Sequence, residues 1–197
     1  MREINNKLIR RFNSCYDPNI YIKDENETLS VTEWVYKYRT IVPMDDIFWL
    51  LCRSYFLSPQ SLRLFSVWCA RYVLDSKNDA MNILAVDTAE KYALGLIPRE
   101  ELMKTHNDLM KKIDSYRHCD EALSPTIKEM LHIQISAETC SYDNTDAAID
   151  TSISSLVAYF FDLGGFTDSF VIANRGKYLF KNKQLDKLIE FIEKDNK

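Results

Sequence analysis

Glycine and proline are scarce in this chain, four and five among 197 residues. Globular proteins average about 12% for the pair. A β-sandwich, a barrel, or a fold built on glycine-rich phosphate loops needs more turn residues than that. The phosphate-binding patterns GxGxxG and GxxxxGKS/T are absent, and so is the GxSxG nucleophile elbow. Nucleotide-dependent chemistry by the common routes is excluded with them. No run approaches the roughly 18 apolar residues that span a bilayer, so no membrane partner is predicted. The opening residues, Met1-Arg2-Glu3-Ile4-Asn5-Asn6-Lys7, lack the apolar stretch of a secretory signal. The five cysteines are odd in number, and no two form a CxxC. Free thiols in a reducing compartment fit that count better than a disulfide framework does. The expected location is cytoplasmic.

What is present is a chain 46% apolar and 27% charged, with ordinary globular composition. Its charge is unevenly spread. Residues 1–53 are neutral in sum, 54–117 carry one net positive charge, and 169–197 carry three. Residues 118–168 hold one lysine, Lys128, against nine acids, a net charge of −8. A field of that sign repels nucleic acid and attracts basic partners. Direct DNA or RNA binding is therefore not expected.

Helix signals recur along most of the chain. Ser58-Pro59 is a cap followed by proline at the first helical position. After it, Leu62, Phe65, Cys69 and Tyr72 are spaced 3, 4 and 3 apart, with Leu64, Val67, Trp68 and Val73 widening the stripe. A helix this apolar is predicted to be central, with Trp68 in the core. Asp79 caps the next helix, which presents Met81, Ala85, Thr88, Ala89 and Tyr92 inward, offers an Asp87–Lys91 pair outside, and stops at Gly95. Pro98 opens a helix with the stripe Leu102, His106, Leu109, Ile113 and Tyr116. Ser124-Pro125 repeats the cap signal ahead of Ile127, Met130, Leu131 and Ile135. Ile149, Ile153, Leu156, Phe160 and Leu163 mark another helix, ended by Gly164-Gly165, and Leu185, Leu188, Ile189 and Ile192 mark the last. Nearer the start, Thr32-Glu33-Trp34-Val35 reads as a cap and short helix, and Pro43 opens another through Ile47, Leu50 and Leu51.

The fold class is all-α, a single compact domain of roughly seven to ten helices. Within residues 1–197 the parts are N-terminal helices (1–55), a helical core (56–117), acidic helices (118–168) and a C-terminal basic helix (169–197). Short extended pieces are expected near residues 19–23 and 168–173.

Candidate chemistry is sparse. His118-Cys119-Asp120-Glu121 is the sole cluster with metal-type ligands, but consecutive residues diverge around a helix and lack zinc-site spacing. His106 sits in an apolar seam, where a satisfied histidine is expected rather than a general base. Cys69 belongs to the most apolar helix and reads as inert core. No catalytic, cofactor-binding or metal residue is predicted. The partner-binding candidates are acidic. Asp143, Asp146 and Asp150, spaced 3 and 4 apart, share one face of a helix that begins near Asp143. Glu138 and Glu129 on the preceding helix extend the stripe offered to lysine or arginine on a partner. The same carboxylates would also suit the positive end of a helix dipole.

One block carries a family likeness. Leu62-Arg63-Leu64-Phe65-Ser66-Val67-Trp68-Cys69-Ala70-Arg71, then Ala89-Glu90-Lys91-Tyr92-Ala93-Leu94-Gly95, then Glu100-Glu101-Leu102 follow a pattern LRxFxxWCAR, AExYAxG, EEL. Over residues 56–103 the chain resembles a family of helical immunity proteins from bacterial polymorphic-toxin loci and phage genomes. After about residue 120 it departs from them, carrying the acidic segment and the Gly164-Gly165 break instead. The resemblance implies a helical, non-enzymatic protein without cofactor. Its implied role is to bind and neutralise a partner protein, as an immunity or phage counter-defence factor does, and the acidic segment 118–168 suits a basic partner such as a toxin or defence nuclease. The alternative is a structural or assembly accessory protein acting through homo-oligomerisation. A deep pocket with convergent titratable groups would point instead to a small helical enzyme.

Overall fold

The chain's structure, a computed structural model, describes residues 2–14, 16–74, 79–117, 127–141, 143–162 and 170–196, and their side chains other than those of residues 117, 127, 128, 146, 156, 160–162 and 170–178. A short antiparallel pair, β1 (Glu3–Ile4) and β2 (Leu29–Ser30), sets Glu3 opposite Ser30 and Ile4 opposite Leu29. Between them lie α1 (Asn6–Arg11), capped by Asn5, and a 3-10 turn at Pro18–Ile20. Then come α2 (Val31–Tyr38), α3 (Met44–Leu51), α4 (Pro59–Val73), α5 (Ala80–Ala93), α6 (Arg99–Arg117), α7 (Ile127–Thr139), α8 (Asn144–Asp162) and α9 (Phe170–Asp195). The described residues thus form nine α-helices and one two-stranded sheet, an all-α fold.

Local chemistry sets the helix ends. The Ser58 hydroxyl accepts the Ser61 N–H at 3.1 Å to start α4, and the Asp79 carboxylate accepts the Met81 N–H at 2.8 Å to start α5. Gly95 ends α5 at φ 71°, with its N–H on the Tyr92 carbonyl at 3.0 Å and the Leu96 N–H on the Lys91 carbonyl at 2.9 Å. That bond pair is a Schellman closure, and its left-handed residue favours glycine. The cap of α2 is Ser30 rather than Thr32. Ser30 and Glu33 close a reciprocal capping box, a Ser-x-x-Glu signal the sequence reading passed over. Residues 118–126, with the Ser124-Pro125 signal and the His118–Glu121 cluster, and the Gly164-Gly165 break lie outside the described residues.

The extended pieces sit elsewhere than expected. Residues 18–20 form the 3-10 turn, because Pro18 fixes a helical φ and the Asp17 carboxylate accepts the Asn19 N–H at 3.1 Å. From Phe170 onward the backbone is helical, and 168–169 lie outside the described residues. An apolar run of three cannot favour strand over a helix that continues for 26 residues.

Helix α4 is the centre, packing on α5, α7, α8 and α9. At the N-terminal end of the molecule Trp34, Phe48, Phe56, Phe65, Leu50 and Leu51 are fully buried. Each such side chain contributes roughly 1.5–3 kcal/mol of burial. Trp68 lies on the flank of the core instead, half-buried against Tyr72 and Phe180. The buried tryptophan is Trp34.

Helix α9 straps this end to the rest. The Asp195 carboxylate takes the Ser58 N–H at 2.6 Å and the Ser61 hydroxyl at 2.7 Å, and the Thr32 hydroxyl donates to Glu193 at 2.9 Å. Asp87 does not pair along its own helix. It and Glu90 hold Arg71 of α4, at 2.8 and 2.6 Å.

Helix α8 buries a row of small residues more fully than the described members of its apolar rhythm. Ile149 and Ile153 are half-buried, whereas Ala147, Ala148, Thr151, Ser152, Ser155 and Ala158 are buried. Small side chains let helix backbones approach closely, and a hydroxyl there can bond back to its own helix. Ser152 donates to the Ile149 carbonyl at 2.7 Å, as Thr139 of α7 does to Ile135.

Candidate functional site

The site begins with Arg63. Its position on α4 buries the side chain completely. The guanidinium donates to the Thr139 and Ser141 carbonyls and, at 3.1 Å, to the Asn144 side chain. The last carbonyls of a helix have no intrahelical partner and carry its negative end. Arg63 supplies both the hydrogen bonds and the opposite charge. Burial pulls its pKa down, and the nearby Asp143 carboxylate acts the other way. The Tyr92 ring lies 5.9 Å from the guanidinium carbon. This one residue therefore fixes the end of α7 and the start of α8.

Asp143 caps α8, its carboxylate accepting the Thr145 N–H at 2.7 Å. The next helix turns bring Asp150 round to face α7 and α6. There the three helices enclose an open cleft of about 360 Å³. Three residues of α6, His106, Met110 and Ile113, form one wall, and Met130, Gln134, Ala137 and Glu138 of α7 form the other. Ser141 and Asp150 close the end. Both walls follow helical spacing: 106, 110 and 113 on one, 130, 134 and 138 on the other.

Glu138 is half-buried. Its Oε1 accepts the Gln134 amide N–H at 2.8 Å. Burial pushes its carboxyl up from the usual value, the like charge of Asp150 adds to the shift, and Ser154 and Gln134 oppose it. His106 Nδ1 is 2.9 Å from the Ala137 carbonyl oxygen. A carbonyl only accepts, so Nδ1 carries a proton, and in the neutral ring Nε2 is then an acceptor. The expected satisfied histidine is thus tied to backbone, not to a carboxylate as in a catalytic relay.

Among the five acidic candidates, Glu138 and Asp150 are brought together at the cleft. Asp143 stands exposed at the turn beside it. Glu129 is exposed on α7, but one residue before Met130 it is rotated about 100° from the cleft wall. Asp146 lies on α8, its side chain outside the described residues. Sequence reasoning missed Gln134, Met110, Met130 and Arg63. The signal for the first three was a polar residue interrupting an apolar row opposite a second row that contains a histidine.

Cys52, Cys69 and Cys140 are free and buried. Burial pushes all three thiols up, Cys140 to about 12. None of them is a thiolate at neutral pH. Cys15 and Cys119 lie outside the described residues. Among the described residues no group of three or more His, Cys, Asp or Glu could hold a metal ion, and no helix is long and apolar enough to cross a membrane. Compared with protein-family models, with curated proteins and with solved structures, the chain matches none of them.

Proposed function

We propose that this chain is a non-enzymatic inhibitor that binds and blocks a basic protein partner, as an immunity or counter-defence factor does. The observation that carries the reading is the placement of Glu138, Asp150 and Asp143 around a cleft walled by partly exposed Met110 and Met130. An apolar centre with a charged rim is the anatomy of a protein interface, and rim charges steer a partner of opposite sign. The likeness of residues 56–103 to immunity proteins supports the same reading. A basic nucleic-acid-targeting effector is the kind of partner such a rim suits, and buried reduced thiols suit a cytoplasmic site of action.

The test starts from a pull-down in the host cell, with the captured protein identified by mass spectrometry. Association kinetics then compare wild type with a variant carrying Asp143→Lys, Asp146→Lys and Asp150→Lys at two salt concentrations. The expected result is association slowed about tenfold at low salt, converging as screening sets in over about 8 Å. Thermal unfolding controls for the dipole penalty at the start of α8. Equal rates with an intact fold would place the contact surface elsewhere.

Self-association is a second reading, favoured by Leu84, Leu94 and Leu96, which are 59%, 50% and 69% exposed on α5 and the turn after it. A stable homodimer by sedimentation, dissociated by Leu96→Asp, would favour it over the first.

A further inference from the structure

The groups that line the α6–α8 cleft share one property, which is that they accept hydrogen bonds. Glu138 and Asp150 present carboxylates. His106, with Nδ1 on the Ala137 carbonyl, offers Nε2, an acceptor in the neutral ring. Gln134 commits one of its two amide N–H bonds to Glu138, and its carbonyl oxygen is an acceptor. Among the described residues no lysine or arginine lines the cleft. Ser141 adds a hydroxyl at one end, and the rest of the lining is apolar: Met110, Ile113, Met130 and Ala137. Met110 is 38% exposed, and thioether side chains adapt to whatever lies on them. An occupant complementary to this lining has an apolar stem and a cationic head with several donors fanned in one plane.

We infer that the cleft is a socket for one arginine side chain of the partner, its alkyl stem on Met110, Ile113 and Met130 and its guanidinium among Glu138, Asp150, His106 and Gln134. This rests on the reading of the protein as a binder of a basic partner, and it names the group that anchors the partner. Guanidinium matches better than ammonium because its five donors lie in a fixed fork, whereas an ammonium is a compact point charge. Arginine is also the cation enriched at the centres of protein interfaces, where a pocket excludes water around it. A bound cation would relieve the cost of holding the Glu138 carboxylate out of water.

The socket can be tested without the partner. The protein is labelled with ¹³C at its methionine methyl groups and titrated with N-acetyl-L-arginine amide. The neutral isostere N-acetyl-L-citrulline amide, N-acetyl-L-lysine amide and agmatine are titrated alongside. The expected result is saturable shifts of Met110 and Met130, with Met44 and Met81 as remote controls. Binding should be in the millimolar range for a single side chain, about tenfold weaker for citrulline and a few-fold weaker for lysine. Glu138→Gln should weaken arginine binding about tenfold with no fall in melting temperature.

Equal shifts with citrulline, or no saturable shift with arginine, overturn the proposal. Agmatine binding tenfold tighter than the arginine amide would overturn the side-chain assignment in favour of a free small cation. The two readings fail separately. If arginine does not bind while the Asp143, Asp146 and Asp150 reversals still slow association, the socket is wrong and the acidic rim stands. If arginine binds and the reversals, which include the socket's own Asp150, change nothing, the cleft binds guanidinium but does not anchor the partner, and that assignment is overturned.

Discussion

The aromatic end of the molecule and the seam where α4 meets α7 and α8 share one helix but not one chemistry. At the first, Phe65 of α4 lies 6.2 Å from the Phe48 ring and 6.5 Å from that of Phe191, with Trp34, Phe56, Leu50 and Leu51 completing a core of large apolar groups. At the second, the buried residues are Arg63, Ser66, Thr139, Thr151, Ser152 and Ala148, with Gln184 of α9 donating to the Ser152 carbonyl at 2.9 Å. The aromatic end is held by area removed from water. The seam is held by close approach and by hydrogen bonds such as those of the Arg63 guanidinium and the Gln184 amide N–H. A core of the first kind tolerates a change of shape at constant volume. The second kind tolerates neither a lost donor nor an added methylene. The cleft opens beside the second kind, on helices whose positions are set by hydrogen bonds.

The largest expected break in that comparison is Arg63→Met. It keeps length and apolar bulk but leaves the Thr139 and Ser141 carbonyls without donors. At about 1–3 kcal/mol for each buried group left unsatisfied, the loss should reach about 3 kcal/mol. A Leu50→Met change in the aromatic end should cost less than about 1.5 kcal/mol. Denaturant unfolding of the two variants decides the matter. Equal small losses would mean that water or a shift of the α7–α8 turn replaces the guanidinium.

A smaller effect is expected from adding bulk to the seam. Ala148 is fully buried on the small-residue face of α8. Ala148→Leu should cost about 1–3 kcal/mol through overpacking, although it raises apolar content. A gain in stability would mean that the seam holds unfilled space.

The same contrast explains what could be read from the sequence. The α4 cap at Ser58, the α5 cap at Asp79, the Gly95 stop and the inward rows of α5 and α6 were legible because each is a local signal. So was the helix class itself, through the shortage of glycine and proline. The α8 rhythm correctly identified a helix, but its described members Ile149 and Ile153 are half-buried beside a fully buried row of small residues. Hydrophobic periodicity does not register a face of alanine, serine and threonine, although Ala148, Thr151, Ser152 and Ser155 repeat at helical spacing. Trp68 was placed too deep for a related reason: its helix is apolar nearly all round, so composition could not say which side faces out. Arg63 read as one of the few polar residues on that helix, and nothing local showed that its partners lie about 80 residues onward. The acidic candidates were found as a charge count. That Glu138 and Asp150 meet at a cleft while Glu129 turns away depends on the packing of α6, α7 and α8, which the count does not contain.

The smallest expected effect concerns Glu138, the one acidic candidate that sits partly inside the seam. Its carboxyl is held above the usual value by burial. At low pH it is protonated in both the folded and unfolded chain, and contributes nothing to the difference. As pH rises past the ordinary glutamate value of about 4.3, the unfolded chain releases this proton first. The unfolded state then gains relative to the folded one, and stability falls until the folded group ionises as well. Glu138 is therefore a net cost near neutrality. Glu138→Gln removes that cost while keeping an oxygen for the Gln134 amide. Melting temperatures of the two proteins should coincide near pH 3, to within about a degree, and separate by pH 7 with the variant higher. All other titrating groups are common to both proteins, so the difference between the curves isolates this one. A variant that melts lower at pH 7 would mean that the Glu138 carboxylate is held by hydrogen bonds more than it is penalised by burial. Its place beside Asp150 would then be structural. A variant that melts higher identifies a residue kept at the cleft against the interest of stability, as groups retained for binding are.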